Sequence, residues 1–380
     1  MSVREADRAA GRPRHLAPSR ASNDRPRWLT PVLIWVACTL VVTLVWLVTA
    51  HLKHTTLLHL MNNWDAGWYR SIARFGYSPL PQFRKQVNDG FFPLVPLLEA
   101  GPIHLGLPLF WVPTVEMHLV SLGSAVALWY LVSAHYGDAA ATRATWLVFA
   151  SPAGYVMSMA YSEPLIVLFG SLCLLALTRR QWVWAGLAGA LVTACDPVGV
   201  VAVAACAWAA AVAIRKDRDW RALWAVALAP LGALAFFTYL DVTVGSFFAY
   251  YHAQRLAFQN AAYFSGIPHV IEITWREGFT NLVAATKVLG MVAAVVMIVV
   301  ARRLRPAAPG AWWAWSLLAL FLGLFSPTVV ITPRLLLRAF PLIAMVGAQL
   351  RGRVFLAVLV SSALAMVVLA YATSWRHYFP

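Results

Sequence analysis

Acidic residues are scarce in this chain: 15 Asp and Glu stand against 30 Lys and Arg in 380 residues, and all charged residues together make up 12%. An ordinary soluble domain carries roughly 25% charge. So little charge, beside 61% hydrophobic residues, excludes a water-soluble globular protein and makes the bilayer the solvent. Lysine is nearly missing, with four against twenty-six Arg. The arginines are scattered between apolar stretches instead of gathered in one basic domain, which excludes a nucleic-acid partner. Cysteine is equally sparse. Cys38, Cys173, Cys195 and Cys206 lie in or beside apolar runs with no Cys-x-x-Cys, which excludes a disulfide framework and a zinc ribbon. No His-Glu-x-x-His motif occurs, and neither a metal nor a cofactor is expected.

Long apolar runs fill the chain instead. They fall at about 28–50, 111–135, 139–160, 163–178, 182–195, 198–214, 222–242, 281–301, 311–331, 335–350 and 353–374, and predict an all-α integral membrane protein of about eleven transmembrane helices. Residues 1–27 hold seven Arg and no apolar core and read as a disordered basic tail on the cytoplasmic side. The run that follows exceeds a signal-peptide core and reads as a retained anchor. Residues 28–380 form one polytopic domain.

Lys and Arg mark cytoplasmic loops. Placing the tail, Arg143, Arg179-Arg180, Arg215 to Arg221, Arg302 to Arg305 and Arg351 with Arg353 inside puts 19 of the 30 basic residues there. The parity closes only if "FFPLVPLLEAGPIHLGLP" (91–108), with four Pro, Glu99 and His104, is re-entrant or interfacial. Two long loops, about 51–110 and 243–280, then face outward, together with the turns "YSEP" (161–164), "CDPVG" (195–199) and "ITPR" (331–334). The polar residues without an evident structural duty therefore gather on the outer face.

The stretch "NNWDAGWYRSIARFGYSP" (62–79) holds one acid between two tryptophans. Projected at 100° per residue, residues 60–75 place Leu60, Met61, Trp64, Trp68, Ser71, Ile72 and Phe75 on one arc and Asn62, Asn63, Arg70 and Arg74 on the other. Asp65 falls at the border. The pattern predicts an interfacial helix with Trp at headgroup level. Asp65 there meets both lipid and water, or else simply pairs with an Arg or favours the helix N-terminus.

"WDAGWYRSIARFGYSP" followed by "FFPLVPLL" resembles the PIG-V-like mannosyltransferases, and the likeness continues in "SPAGYVMSMAYSEPL", "GSFFAYYHAQ" and "ITPRLLLRAFPL". That family belongs to the GT-C superfamily of multi-spanning glycosyltransferases, which use polyprenyl- or dolichyl-phosphate sugars. The resemblance implies a GT-C-like fold and transfer of a hexose, mannose by the family, from a polyprenyl-phosphate donor to a lipid or glycan acceptor. It implies inversion at the anomeric carbon, with Asp65 as the carboxylate that takes the acceptor proton. Trp64, Trp68, Tyr69 and Arg70 of the same motif are expected to bind substrate.

Glu163 follows a capping Ser162 and precedes Pro164, which suits a helix start, yet an acid near membrane depth is also a functional candidate. Asp196-Pro197 reads as a cap, where the family tends to carry an Arg. Arg334 follows Pro333 at an outer helix start, where it meets either a phosphate or the headgroups by snorkelling. Arg338, one turn deeper, is harder to explain by snorkelling. His252 and Gln254 lie among aromatics in the second outer loop and are expected to touch phosphate or sugar. The Arg-rich, Ala-rich composition suggests a GC-rich bacterial genome, hence a multi-pass protein of the bacterial cytoplasmic membrane with its site outward. A transporter or lipid flippase is the competing class. Its ionisable residues would line a mid-membrane path between repeats, whereas the unexplained polar residues here sit at outer ends.

Overall fold

In a computed structural model, residues 26–78, 87–257, 265–278, 281–303, 308–326 and 330–375 are described, and among them every regular element is a helix. The expected tail falls almost wholly outside these residues. The α-helices are α1 (Leu29–Leu52), α2 (Leu57–Met61), α3 (Asp65–Phe75), α4 (Leu94–His104), α5 (Trp111–Tyr136), α6 (Asp138–Phe149), α7 (Glu163–Thr178), α8 (Trp182–Thr193) and α9 (Val200–Asp217). They continue as α10 (Leu223–Leu228), α11 (Leu231–Val244), α12 (Ala249–Ala257), α13 (Gly266–Glu277), α14 (Leu282–Arg303), α15 (Gly310–Phe325), α16 (Pro333–Arg338), α17 (Phe340–Gln349) and α18 (Gly352–Ser374).

Among the described residues, six stretches are long and apolar enough to cross a membrane: Leu29–Leu52, Trp111–Tyr136, Pro197–Asp217, Trp220–Val244, Leu282–Arg303 and Gly352–Ser374. Four shorter apolar helices, α7, α8, α15 and α17, accompany them. α7 and α17 are almost wholly buried, so protein and not lipid surrounds their short backbones. Leu33, Leu40 and Leu44 of α1, Leu289 and Val295 of α14, and Leu356 and Leu364 of α18 are exposed. In a membrane protein such a surface is the lipid-facing one.

Proline redraws three of the expected elements, and an asparagine redraws a fourth. The run 139–160 is not one helix: α6 stops at Phe149 ahead of Pro152, and the chain continues as a buried 3-10 turn, Gly154–Ser158. The run 222–242 is divided at Pro230. The run 335–350 breaks at Ala339, because Pro341 lacks an N–H and its ring would strike the carbonyl of Leu337 in a continuous helix. The expected interfacial helix over 60–75 begins only at Asp65. Asn62 interrupts it by sending its amide to Leu58 O, Phe110 O and Thr114 Oγ1 at 2.9, 3.2 and 2.8 Å. The core-facing stripe of α3 is Ala66, Tyr69, Ile72 and Ala73, rotated by about a third of a turn from the arc that the longer helix predicted, with Ile72 in both. The segment 91–108 contains α4, which packs on α3 and α5.

The loops sort to two ends. At one, Arg27 pairs with Asp138 at 2.7 Å, Arg180 with Asp217, His135 with Thr178, and Arg143 donates to Ala348 O at 2.7 Å. The other end joins the first long loop to the turns of the opposite face. Ala160 N–H donates to Met61 O at 3.2 Å and Leu94 N–H to Ala194 O at 3.1 Å. Gln254 donates to Gly90 O at 3.0 Å.

Candidate functional site

Three helix starts bring three acids together at this second end. Asp65 is the first residue of α3, Glu163 the first of α7, and Asp196 caps the turn Pro197–Gly199 that leads into α9. Each carboxylate thus sits at the positive end of a helix dipole. The Met61–Ala160 bond holds Asp65 beside Tyr161-Ser162-Glu163, and the Leu94–Ala194 bond does the same for the Asp196 turn. Trp64, just before Asp65, has φ 60°. A bulky residue there stores about 1–3 kcal/mol of strain, a cost met only where the surroundings fix the turn.

The cations come from α16. Thr332 accepts from Leu335 N and Pro333 opens the helix, so Arg334 and Arg338, four residues apart, share one face. Trp315 Nε1 donates to Arg338 O at 3.0 Å and pins the helix end. Gly290 of α14 lets the preceding turn approach closely: a Cβ there would lie 2.1 Å from Ile331 O.

Arg334 Nε donates to Glu163 Oε1 at 2.5 Å and Nη1 to Asp65 Oδ2 at 2.7 Å. Arg338 Nε donates to the same Glu163 oxygen at 3.0 Å, while Nη1 and Nη2 grip both oxygens of Asp196 at 3.1 and 2.7 Å. The result is an alternating chain, Asp65, Arg334, Glu163, Arg338, Asp196. The Arg334 guanidinium also lies over the ring of Tyr161, 4.5 Å from its centroid. Side-chain exposure falls inward, from 30% at Asp65 to 11% at Arg334 and 1% at Glu163. Asp65 is the acid that faces out. Asp196 is the expected cap, accepting from Val198 N at 2.9 Å, but it is also an ion-pair partner, which its sequence context did not reveal.

The remaining expected residues spread over the first loop and α12. Tyr69 is buried beneath α3 and meets Phe91 edge-on at 5.6 Å, while Trp68 stacks on the same ring at 5.3 Å. Arg70 points away from the acid chain. It donates to Asn62 Oδ1 at 3.2 Å and lies 4.2 Å from the Phe110 ring centroid, and among the described residues it makes no ion pair. Its neighbouring acid is Glu99 of α4, whose carboxyl is pushed up to about 8 by burial, with Glu116 adding to the shift and Arg70 opposing it. Gln254 is engaged by Gly90 O, and exposed His252 contacts Tyr251. Among the described residues neither is hydrogen-bonded to the acid chain. Among the described residues no group of three or more His, Cys, Asp or Glu is placed to hold a metal. The Asp-x-Asp triplet Asp217-Arg218-Asp219 lies at the opposite end. There Asp217 pairs with Arg180, and Asp219 accepts from Trp182 Nε1 at 2.9 Å.

No family model matches the sequence, and no curated protein matches it. Among solved structures, the fold is similar to that of ArnT from Cupriavidus metallidurans bound to undecaprenyl phosphate. The TM-score is 0.55 at 17% sequence identity, over 90% of this chain and 64% of that one. The chain therefore spans less than two thirds of ArnT's length. At this identity the likeness is one of fold: an all-α, multi-pass membrane architecture.

Proposed function

We propose that the protein is a GT-C glycosyltransferase that moves a hexose, mannose by the resemblance of its motifs, from a polyprenyl-phosphate donor to a lipid or glycan acceptor, at the outer face of a bacterial cytoplasmic membrane. The observation that carries this is the position of Asp65: the outermost, most exposed member of a buried acid and arginine chain, at the start of an interfacial helix. Together with a fold shared with ArnT bound to undecaprenyl phosphate, it supports a site that works on a lipid-linked phosphate at the membrane edge.

In the reaction, the acceptor hydroxyl gives its proton to Asp65 as its oxygen attacks the anomeric carbon. The bond from that carbon to the phosphate oxygen breaks, its electron pair stays on the phosphate, and the configuration inverts. In the free protein Arg334 orients Asp65 through its Nη1 hydrogen bond. Glu163 and Arg338, buried behind it, fix Arg334 in turn. Arg70 meets the departing phosphate. It carries no salt bridge, its neighbour Glu99 is held towards the neutral form, and exposed Leu105, Leu107 and Trp111 begin an apolar strip suited to a prenyl chain. Trp64 and Trp68 line the lipid edge, and His252 and Gln254 border the site from α12.

The test is transfer of labelled mannose from polyprenyl-phosphate mannose by lipid-reconstituted protein supplied with host lipid extract. Wild type transfers label, and Asp65→Asn loses about 10²–10⁴-fold in rate while folding and binding donor as wild type does. Equal activity in both would make Asp65 structural.

A further inference from the structure

The arginines of the acid chain are already committed. Arg334 and Arg338 donate to the carboxylates of Asp65, Glu163 and Asp196. Three carboxylates face two guanidinium groups, so the formal charge of the cluster is minus one. A phosphate entering here would be repelled, whereas an uncharged hydroxyl can donate to a carboxylate without a charge penalty.

Beside the cluster, some buried oxygens have nothing to bond. Tyr161 is fully buried and, among the described residues, its hydroxyl has no hydrogen-bond partner, and the same holds for Ser162 Oγ and Glu163 Oε2. The charges acting on the Tyr161 hydroxyl are those of Asp65, Arg334 and Glu163. Its ring is clamped under the Arg334 guanidinium, and the backbone before it is tied to Met61. A phenol fixed so firmly, at a cost in unsatisfied hydrogen bonding, is explained by a partner that arrives with a ligand.

We infer that Tyr161 is a substrate-binding residue whose hydroxyl hydrogen-bonds a hydroxyl of an uncharged sugar seated beside Asp65, with the phosphate held outside the cluster. This rests on the glycosyltransferase reading for its substrate class. Because Arg334 covers the ring, the sugar reaches the phenol by displacing the bond between Arg334 and Asp65. That displacement also releases the Asp65 oxygen which Arg334 holds in the free protein. The sugar hydroxyl belongs to either the acceptor or the donor's hexose, and kinetics separates the two: loss of Tyr161 raises KM for one and not for the other.

The test is Tyr161→Phe in lipid-reconstituted full-length protein, with three readouts. Methyl α-mannopyranoside and, separately, inorganic phosphate are titrated against tryptophan fluorescence, melting temperature is recorded, and transfer kinetics is measured. The expected result is about tenfold weaker glycoside binding, the loss of roughly one hydrogen bond, with phosphate binding unchanged. The melting temperature stays level, since the free protein loses no hydrogen bond. KM for one substrate rises by a similar factor. Glycoside binding equal in wild type and variant, no glycoside binding in wild type, or a variant that melts several degrees lower would each overturn the inference. If the glycoside binds through Tyr161 but no sugar is transferred, the sugar site stands and the glycosyltransferase reading fails. If transfer is normal in both proteins, this inference alone fails.

Discussion

The two ends of the helix bundle use the same residue types to opposite effect. At the basic end, Arg27 with Asp138 and Arg180 with Asp217 are pairs of exposed side chains, solvated and screened, whose sequence partners mark topology. At the acidic end, Glu163, Asp196 and Arg338 are buried, each with at least one charged partner at hydrogen-bond distance. A buried charge is tolerated only when paired. The comparison teaches that arginine count says little about where an arginine matters; burial and partner geometry do. A cavity of about 280 Å³ also lies at the basic end, lined by His135, Arg180, Trp182, Trp208 and Trp312 among others, and it holds none of the acids of the chain.

That contrast can be broken at several points. After the loss of transfer in Asp65→Asn, the largest effect is expected for Glu163→Ala, which strands Arg334 and Arg338 without their shared oxygen. Removing one partner of a buried pair costs about 3–5 kcal/mol, read as a fall in denaturation midpoint in detergent. A midpoint equal to wild type would show that the chain is not held by its charges.

A subtler effect belongs to Glu99, whose carboxyl is pushed from an ordinary 4.5 to about 8 by burial. Between those values the unfolded chain has released a proton that the folded chain keeps. Stability is therefore fully present below the lower value and is lost as pH rises through the upper one. Glu99→Gln is expected to flatten this decline, so that its melting temperature exceeds that of wild type at about pH 8 but not at about pH 4. Parallel melting curves at all pH values would contradict the burial. The smallest effect is expected at the other end: Arg180→Ala, which breaks an exposed pair, should leave the melting temperature and transfer rate near wild type. A large loss there would erase the distinction between the ends.

Part of this was legible in the residues. The scarcity of charge and the repeated apolar runs required a polytopic α-helical membrane protein, because continuous apolar runs of about 20 residues satisfy their own backbone in lipid only as helices. Cap-and-proline pairs located the helix starts at Glu163, Asp196 and Arg334, and the distribution of arginine sorted the loops to two ends. Helix interruptions were less legible. Periodicity does not register that Asn62 is drawn off by Phe110 and Thr114, or that the buried turn after Pro152 replaces half a span.

The pairing itself was decided by tertiary structure. Asp65 and Arg334 are 269 positions apart, and no local rule selects one arginine among twenty-six as its partner. Tyr161 reads in sequence as one more aromatic before a helix. Only the packing of α16 against α7, with Arg334 laid over the ring, sets its hydroxyl among charges without a partner. Composition and periodicity determined the solvent, the class of fold and the ends of the helices, since these depend on local chain properties and transfer energies. The charge chain and its orphaned phenol depend on which distant turns meet, and that is fixed by the packing of the whole bundle.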